Sequence, residues 1–351
     1  MGQIIKKKPK SEEEIKSLRI DKKLQKAQET ENEEANLLLL GAGESGKSTI
    51  FKQMKLLHLD GFDEEEKKDY RVHVHSNVIE SIQSLVEAMQ SMNINFSNEK
   101  NNENCDEILS LKYSDTLTPE LAEIIKEIWE DPGIMETFDL SHKFQLIDSA
   151  SYFLNKVKSL AQESYIPSVD DILNVRVRTT GISETTFKYE GLKFNMTDVG
   201  GQRSERKKWL HCFSSITAVF FIAAISEYDQ MLFEETETPR MTESLMLFDE
   251  ICNSRWFRQT SIILFLNKID IFEKKVQKKD ITCCFPEYTG GCDFETARNY
   301  IQDKFLELNQ NNDKIVYPYF TCATDSENVS FIFKAVKDTL FQSELEDLGL
   351  L

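Results

Sequence analysis

The segment Gly41-Ala42-Gly43-Glu44-Ser45-Gly46-Lys47-Ser48 constrains this chain more than any other. It follows the apolar run Leu37-Leu38-Leu39-Leu40 and leads into Thr49-Ile50-Phe51-Lys52-Gln53-Met54, which reads as a helix. Strand, glycine loop and helix, in that order, are the setting in which the pattern G-x-x-x-x-G-K-S builds a phosphate site. Glycines let the backbone curl until successive N–H groups point inward, and the helix N-terminus adds partial positive charge. Lys47 is expected to reach the β- and γ-phosphates of a nucleotide, and the Ser48 hydroxyl to ligate Mg2+.

Downstream spacing departs from a simple α/β chain. The next strand-like segments, 185–189 and 192–197, lie far beyond His58, whereas a βα connection usually runs about 2–6 residues. Residues 60–172 are therefore expected to form an inserted all-helical domain. Ile79, Ile82, Val86 and Met89 share one helix face, as do Leu121, Ile125 and Ile128, and then Ile147, Leu154, Val157 and Ala161. Thr118-Pro119 reads as a helix start, Asp131-Pro132-Gly133 as a stop, and the Asn- and Glu-rich stretch 93–104 as a loose surface loop. From residue 185 strands and helices alternate. A hairpin turns about Glu190-Gly191, strands follow at 218–224, 262–266 and 316–321, and helices at 241–255, 294–308 and from about 328. Strands this apolar are buried on both faces, which predicts a mostly parallel sheet clad by helices. The expected division is an amphipathic N-terminal helix over 1–34, a nucleotide-binding α/β core from 35–59 and 173–351, and the insertion between its two parts.

Composition narrows the partners. The net charge of −18 argues against nucleic acid as a general ligand. Seven scattered cysteines show no C-x-x-C pair and no metal-ligand spacing, which predicts free thiols in a reducing compartment. The longest mostly apolar run, 216–225, is about half of a membrane span, so no crossing is expected.

Four further stretches carry chemistry. Asp198-Val199-Gly200-Gly201-Gln202 follows a strand, where a carboxylate can support a nucleotide-bound Mg2+ and a Gly-Gly loop can move with a γ-phosphate. Gln202 has both a donor and an acceptor with which to orient an attacking water. Asn267-Lys268-Ile269-Asp270 follows another strand, and the Asp270 carboxylate can accept from N1–H and the 2-amino group of guanine, a pattern that adenine lacks. Thr321-Cys322-Ala323-Thr324 would add the Ala323 N–H to the guanine O6. At the end of the insertion, Arg176-Val177-Arg178-Thr179-Thr180-Gly181 offers an arginine for transition-state charge and a second Mg2+ hydroxyl in Thr179. Read alone, Gly200-Gly201 is only a turn and the arginine stretch only a basic linker.

GAGESGKST, RVRTTGI, DVGGQRSERKKW, NKID and TCATD, in this order around a helical insertion, resemble the heterotrimeric G-protein α subunits along essentially the whole chain. The resemblance implies a P-loop GTPase core and a switch that binds GTP or GDP with Mg2+. It also implies hydrolysis of GTP, and coupling of membrane receptors to effectors with a βγ partner. By match of motif, Arg176 is an arginine finger supplied in cis and Gln202 positions the water. The resemblance implies that the nucleotide is contacted by Glu44, Ser45, Gly46, Lys47, Ser48, Thr49, Leu173, Arg176, Thr179, Asp198, Gly201, Asn267, Lys268, Asp270, Cys322 and Ala323. Ser48 and Thr179 are the Mg2+ ligands. Asp148 and Ser149 approach from the insertion, with Asp148 facing Lys268 across the cleft. Arg203, Arg206, Lys207 and Trp209, with the N-terminal helix, resemble a βγ-binding surface. Val329, Ile332, Phe333, Val336 and Leu340 set the last helix on the sheet, and the apolar tip Leu345, Leu348, Leu350 and Leu351 resembles a docking end for seven-helix receptors. An effector and a GTPase-activating regulator are implied without being identified.

The chain departs from the family pattern at four places. Leu173-Asn174-Val175-Arg176 stands where Leu-Arg-Thr-Arg is usual. Leu348 stands where the inhibitory class has a cysteine, no cysteine precedes Cys105, and Lys6 replaces the Ser or Thr expected after Gly2. The subclass stays open. Two rival readings are a P-loop kinase or ATPase, opposed by Asp270, and a GTP-binding interaction protein without turnover, opposed by Arg176 and Gln202.

The N-terminus predicts peripheral attachment at the cytoplasmic face of the plasma membrane, with part of the protein cytosolic. One acyl chain binds only marginally, so acylation of Gly2 after Met1 removal needs a second signal. Lys6, Lys7, Lys8 and Lys10 supply it at roughly 1 kcal/mol each near an anionic leaflet. The alternative is a solubilising basic tail. Replacing the four lysines by glutamine is expected to shift the protein from membranes to cytosol on fractionation, and intact-mass analysis showing unmodified Gly2 would remove the lipid half of this reading.

Overall fold

The computed structural model describes residues 34–232, 235 and 238–347, with side chains through Asp338. The expectations for Gly2, the basic N-terminus, its helix up to residue 33, the Leu340 and Leu345 side chains, and the tip beyond 347 lie outside these residues.

β1 (Glu34–Leu40) is the middle of the sheet, and its four leucines are fully buried. Successive side chains on a strand point to opposite faces. Leu37 and Leu39 accordingly enter one core while Leu38 and Leu40 enter another. α1 (Lys47–His58) leaves directly from the glycine loop.

The insertion then builds its own core from α2 (Glu64–Ser91), α3 (Lys100–Ser110), α4 (Pro119–Trp129), α5 (Pro132–Asp139), α6 (Ala150–Asn155), α7 (Val157–Leu160) and α8 (Val169–Asn174). All three apolar faces read from the sequence are buried there. Two local readings change. Asp131-Pro132-Gly133 starts α5 rather than only stopping α4, because the Asp131 carboxylate accepts from Gly133 N at 2.9 Å and Pro132 opens the helix. The stretch 93–104 is not a loose loop. Asp131 also accepts from Ser97 N and Asn98 N, both at 3.0 Å, and from Asn101 Nδ2 at 2.9 Å, and α3 begins at Lys100. Asn-rich composition signalled a turn, but a buried acceptor thirty residues away pins it.

β2 (Ile182–Tyr189) and β3 (Leu192–Val199) form the expected hairpin, with Glu190 at φ 48° and Gly191 at φ 88°. There follow β4 (Ala218–Ala224), α9 (Arg240–Cys252), β5 (Ser261–Asn267), α10 (Ile269–Val276), α11 (Phe294–Leu306), β6 (Val316–Thr321) and α12 (Ser326–Asp347). α9 ends at Cys252, short of Arg255. The strand order is β2-β3-β1-β4-β5-β6, parallel except for the β2–β3 pair. One face packs on α9, α10 and α11, the other on α1 and α12. Val329, Ile332, Phe333 and Val336 are all buried, and the Phe333 ring lies within 5.7 Å of those of His58, Phe187, Tyr189 and Phe194.

Register positions the site. Leu39 pairs with Asp198, Leu40 with Phe221, Ala224 with Asn267, and Asn267 with Thr321. The loops that leave β1, β3, β5 and β6 therefore open at one edge of the sheet, where ligands of such folds bind. The insertion rejoins the core through buried Lys52 of α1, which donates to Ile172 O at 2.8 Å and Val175 O at 3.0 Å. Burial brings its pKa down to about 8. All seven cysteines are free, and no helix among the described residues is long and apolar enough to cross a membrane.

Asp131→Ala removes one helix cap and strips three backbone amides of their acceptor. Caps contribute about 1 kcal/mol and an unsatisfied buried group costs about 1–3 kcal/mol, so chemical denaturation should show a loss of roughly 2–4 kcal/mol. A loss under about 1 kcal/mol would mean that the clamp is incidental.

Candidate nucleotide and magnesium site

The glycine loop is strained into shape. Gly46, the N-cap of α1, has φ 102°, and a Cβ there would run into Asn267 Nδ2. Gly201 packs so closely over the loop that its Cβ would meet Lys47 Nζ and Ala42 O. Lys47 itself donates to Ala42 O at 2.7 Å and Gly41 O at 3.0 Å, and burial brings its pKa down to about 8. An anion beside this ammonium would restore the charge that burial disfavours. Thr49 lies in the first turn of α1.

Beside the lysine is an oxygen cluster. Ser48 Oγ lies 2.6 Å from Thr179 Oγ1 and donates to Asp198 Oδ2 at 2.7 Å. Asp198 Oδ1 is buried without a hydrogen-bond partner, and burial pushes this carboxyl up against the opposing pull of Lys47. Two hydroxyls around an orphaned carboxylate oxygen are the hard-donor set that suits Mg2+. Ser48 and Thr179 would hold the ion, with Asp198 behind them.

Asn267 links the loops. Its Nδ2 donates to Ser45 O at 2.8 Å, and its Oδ1 accepts from Ala323 N at 3.0 Å and Thr321 Oγ1 at 3.1 Å. The Ala323 amide, expected on the guanine O6, is thus engaged inside the protein in this structure. Asp270 lies in the first turn of α10 beside Cys322, whose thiol is pushed up by burial.

Lys268, at φ 62°, donates to Asp148 Oδ2 at 2.6 Å and Glu227 Oε1 at 2.7 Å. Burial works against its charge, but the two carboxylates outweigh that and raise its pKa. Ser149 is the N-cap residue of α6 next to Asp148, and Leu173 is buried in α8. The Arg176 guanidinium meets Glu44 Oε1 at 2.8 Å and Glu80 Oε1 at 3.1 Å. The Gln202 side chain lies against Gly43, where an added Cβ would touch its Cγ at 3.3 Å.

Several residues at the site carried no motif signal. Buried Arg240 joins Glu44 Oε2 at 2.9 Å, Gln145 Oε1 at 2.6 Å and Met231 O at 3.0 Å. Burial opposes ionisation of Glu44, yet Arg240 and Arg176 together hold its carboxyl below the usual range. Glu243, also buried, receives Arg203 and Arg206 and so anchors the loop after Gln202. Glu44, Gln145 and α9, with its Arg240 and Glu243, come from segments far apart in sequence, so no local pattern brings them together. Of the residues resembling a βγ surface, Lys207 is exposed, whereas Trp209 is buried and donates to Gly200 O at 2.8 Å.

The parallel sheet, the glycine loop at its edge and the helical insertion define a P-loop GTPase-type core carrying a second, all-α unit. Compared with known protein families, residues 14–340 match the G-protein alpha subunit family. The chain belongs to that family, and is accordingly a guanine-nucleotide-binding signalling subunit.

The Asp148–Lys268 pair crosses from insertion to core. Asp148→Ala leaves Lys268 with Glu227, so the lysine is not stranded, and a partly exposed pair of this kind is worth up to about 1 kcal/mol. Release of a fluorescent GDP analogue should quicken by about two- to fivefold. Unaltered release would make the contact incidental.

Proposed function

We propose that this chain is a Mg2+-dependent GTPase switch that hydrolyses GTP to GDP and phosphate. The observation that carries the reading is the meeting of Ser48, Thr179 and Asp198 beside the Lys47 loop, with Gln202 and Arg176 bordering the same loop. Backbone amides of the glycine loop and Lys47 would hold the phosphates, and Asp270 would read the guanine edge. Ser48 and Thr179, backed by Asp198, would hold Mg2+, which would supply positive charge to the phosphates. Gln202 orients a water in line with the γ-phosphorus. The water oxygen bonds to the γ-phosphorus as the bond to the β,γ-bridging oxygen breaks, and that oxygen leaves with the electron pair as GDP. The water proton passes to the departing phosphate, and Arg176 offsets the negative charge that develops. The two loops carrying Thr179 and Gly201 would order around the γ-phosphate and relax when it leaves.

On the same reading the chain couples seven-helix receptors to an effector with a βγ dimer, and a GTPase-activating regulator shortens its active state. It works at the cytoplasmic face of the plasma membrane. Membership of the family supports these partners in general terms.

Gln202→Leu and Arg176→Cys should each keep GTP binding and slow single-turnover phosphate release by about 10²–10³, the usual effect of losing one transition-state donor. ATP should fail to compete with GTP for the site. Rates within about threefold of wild type for both variants would overturn the catalytic assignment.

A further inference from the structure

We propose that Glu80 is a positioning residue that parks the arginine finger against the helical insertion, in competition with the phosphate that the finger serves. The inference rests on the reading of Arg176 given above.

Two residues of α2 hold Arg176 from opposite ends. Asn77, buried, accepts from Arg176 N at 2.7 Å and donates to Arg176 O at 3.0 Å, which fixes the main chain. Glu80 follows three residues later, on the same face of the helix, and its Oε1 takes Nη1 of the guanidinium at 3.1 Å. Glu44 of the glycine loop takes Nη2 at 2.8 Å. A guanidinium meets carboxylate and phosphate through the same planar fork of N–H groups. Two of its five N–H donors are spent on carboxylates that hold the guanidinium between them, so swinging it towards developing phosphate charge loosens this two-sided grip.

The two carboxylates are not equivalent. Glu44 Oε2 is already committed to Arg240, so this carboxylate belongs to the loop's own architecture. Glu80 comes from the insertion, and it grips the finger alongside the main-chain clamp of Asn77. The Arg176 and Glu80 side chains are 30% and 32% exposed, which makes the pair a solvent-screened tie and not a buried one. Such a tie is weak enough to be exchanged for a phosphate bearing more charge, yet it lowers the fraction of time the finger is free. It also makes the finger's position depend on the insertion being closed over the core.

The experiment compares wild type, Glu80→Gln, Arg176→Cys and the double variant in single-turnover GTP hydrolysis. Binding of aluminium fluoride to the GDP-loaded proteins, a mimic of the transferring phosphoryl group, is measured alongside. Glutamine keeps the shape of Glu80 and removes its charge. Glu80→Gln should raise the hydrolysis rate and tighten aluminium fluoride binding by about two- to fivefold, the range for one partly exposed ion pair. On the Arg176→Cys background it should change neither, because the effect passes through the guanidinium. An unchanged or slower rate for Glu80→Gln, with Arg176→Cys still impaired, overturns the proposal while leaving the finger in place. A gain that persists without Arg176 overturns it as well. If Arg176→Cys hydrolyses normally, the finger reading fails and the parking role goes with it.

Discussion

The buried amide of Asn267 is the interaction on which the site depends. One side chain spends its donor on the Ser45 carbonyl and its acceptor on the Ala323 amide and the Thr321 hydroxyl. It therefore joins the phosphate loop after β1 to the loop after β6, which the sheet alone separates by two intervening strands. In a low-dielectric interior these bonds are costly to leave unmade, so the three loops keep one relative geometry. Gly46 shows how close that geometry is, since no side chain fits between it and the asparagine.

The insertion and the core are held together differently from either interior. Each unit has its own apolar cluster, while the contacts near the nucleotide loops are polar: Lys268 to Asp148, Arg240 to Gln145, and Lys52 to the carbonyls of Ile172 and Val175. Polar ties of this kind contribute less than a shared apolar core, and they can be broken and remade without exposing a hydrophobic face.

The charges around the loop meet in small ion-paired clusters, each with one group between two of opposite sign. Glu44 answers Arg176 and Arg240, Lys268 answers Asp148 and Glu227, and Glu243 answers Arg203 and Arg206. Lys47 and Asp198 stand out against this pattern. One is a buried ammonium on carbonyl oxygens and the other a buried carboxylate with an orphaned oxygen. Phosphate and Mg2+ are the ligands that would complete them, so the imbalance marks where the chemistry belongs.

The amino-acid sequence by itself determined the α/β core, the helical insertion and the identity of the motif loops. Those features depend on local rules: period-2 and period-3.6 burial, glycine at positions of positive φ, and residue types fixed to a chemistry. It misread 93–104 because the deciding partner, Asp131, lies about thirty residues along the chain, and it read Asp131-Pro132-Gly133 only as a stop although the same aspartate and proline open α5. Glu44, Lys268 and Arg176 lie in motifs that the sequence singles out, whereas their partners Arg240, Glu227 and Glu80 do not, since an ion pair between distant segments leaves no periodicity to read. Only the tertiary structure decided those pairings. The parallel register brings the carboxyl ends of β1, β3, β5 and β6 to one edge, and the insertion folds back until α2 reaches the arginine that follows it by about a hundred positions.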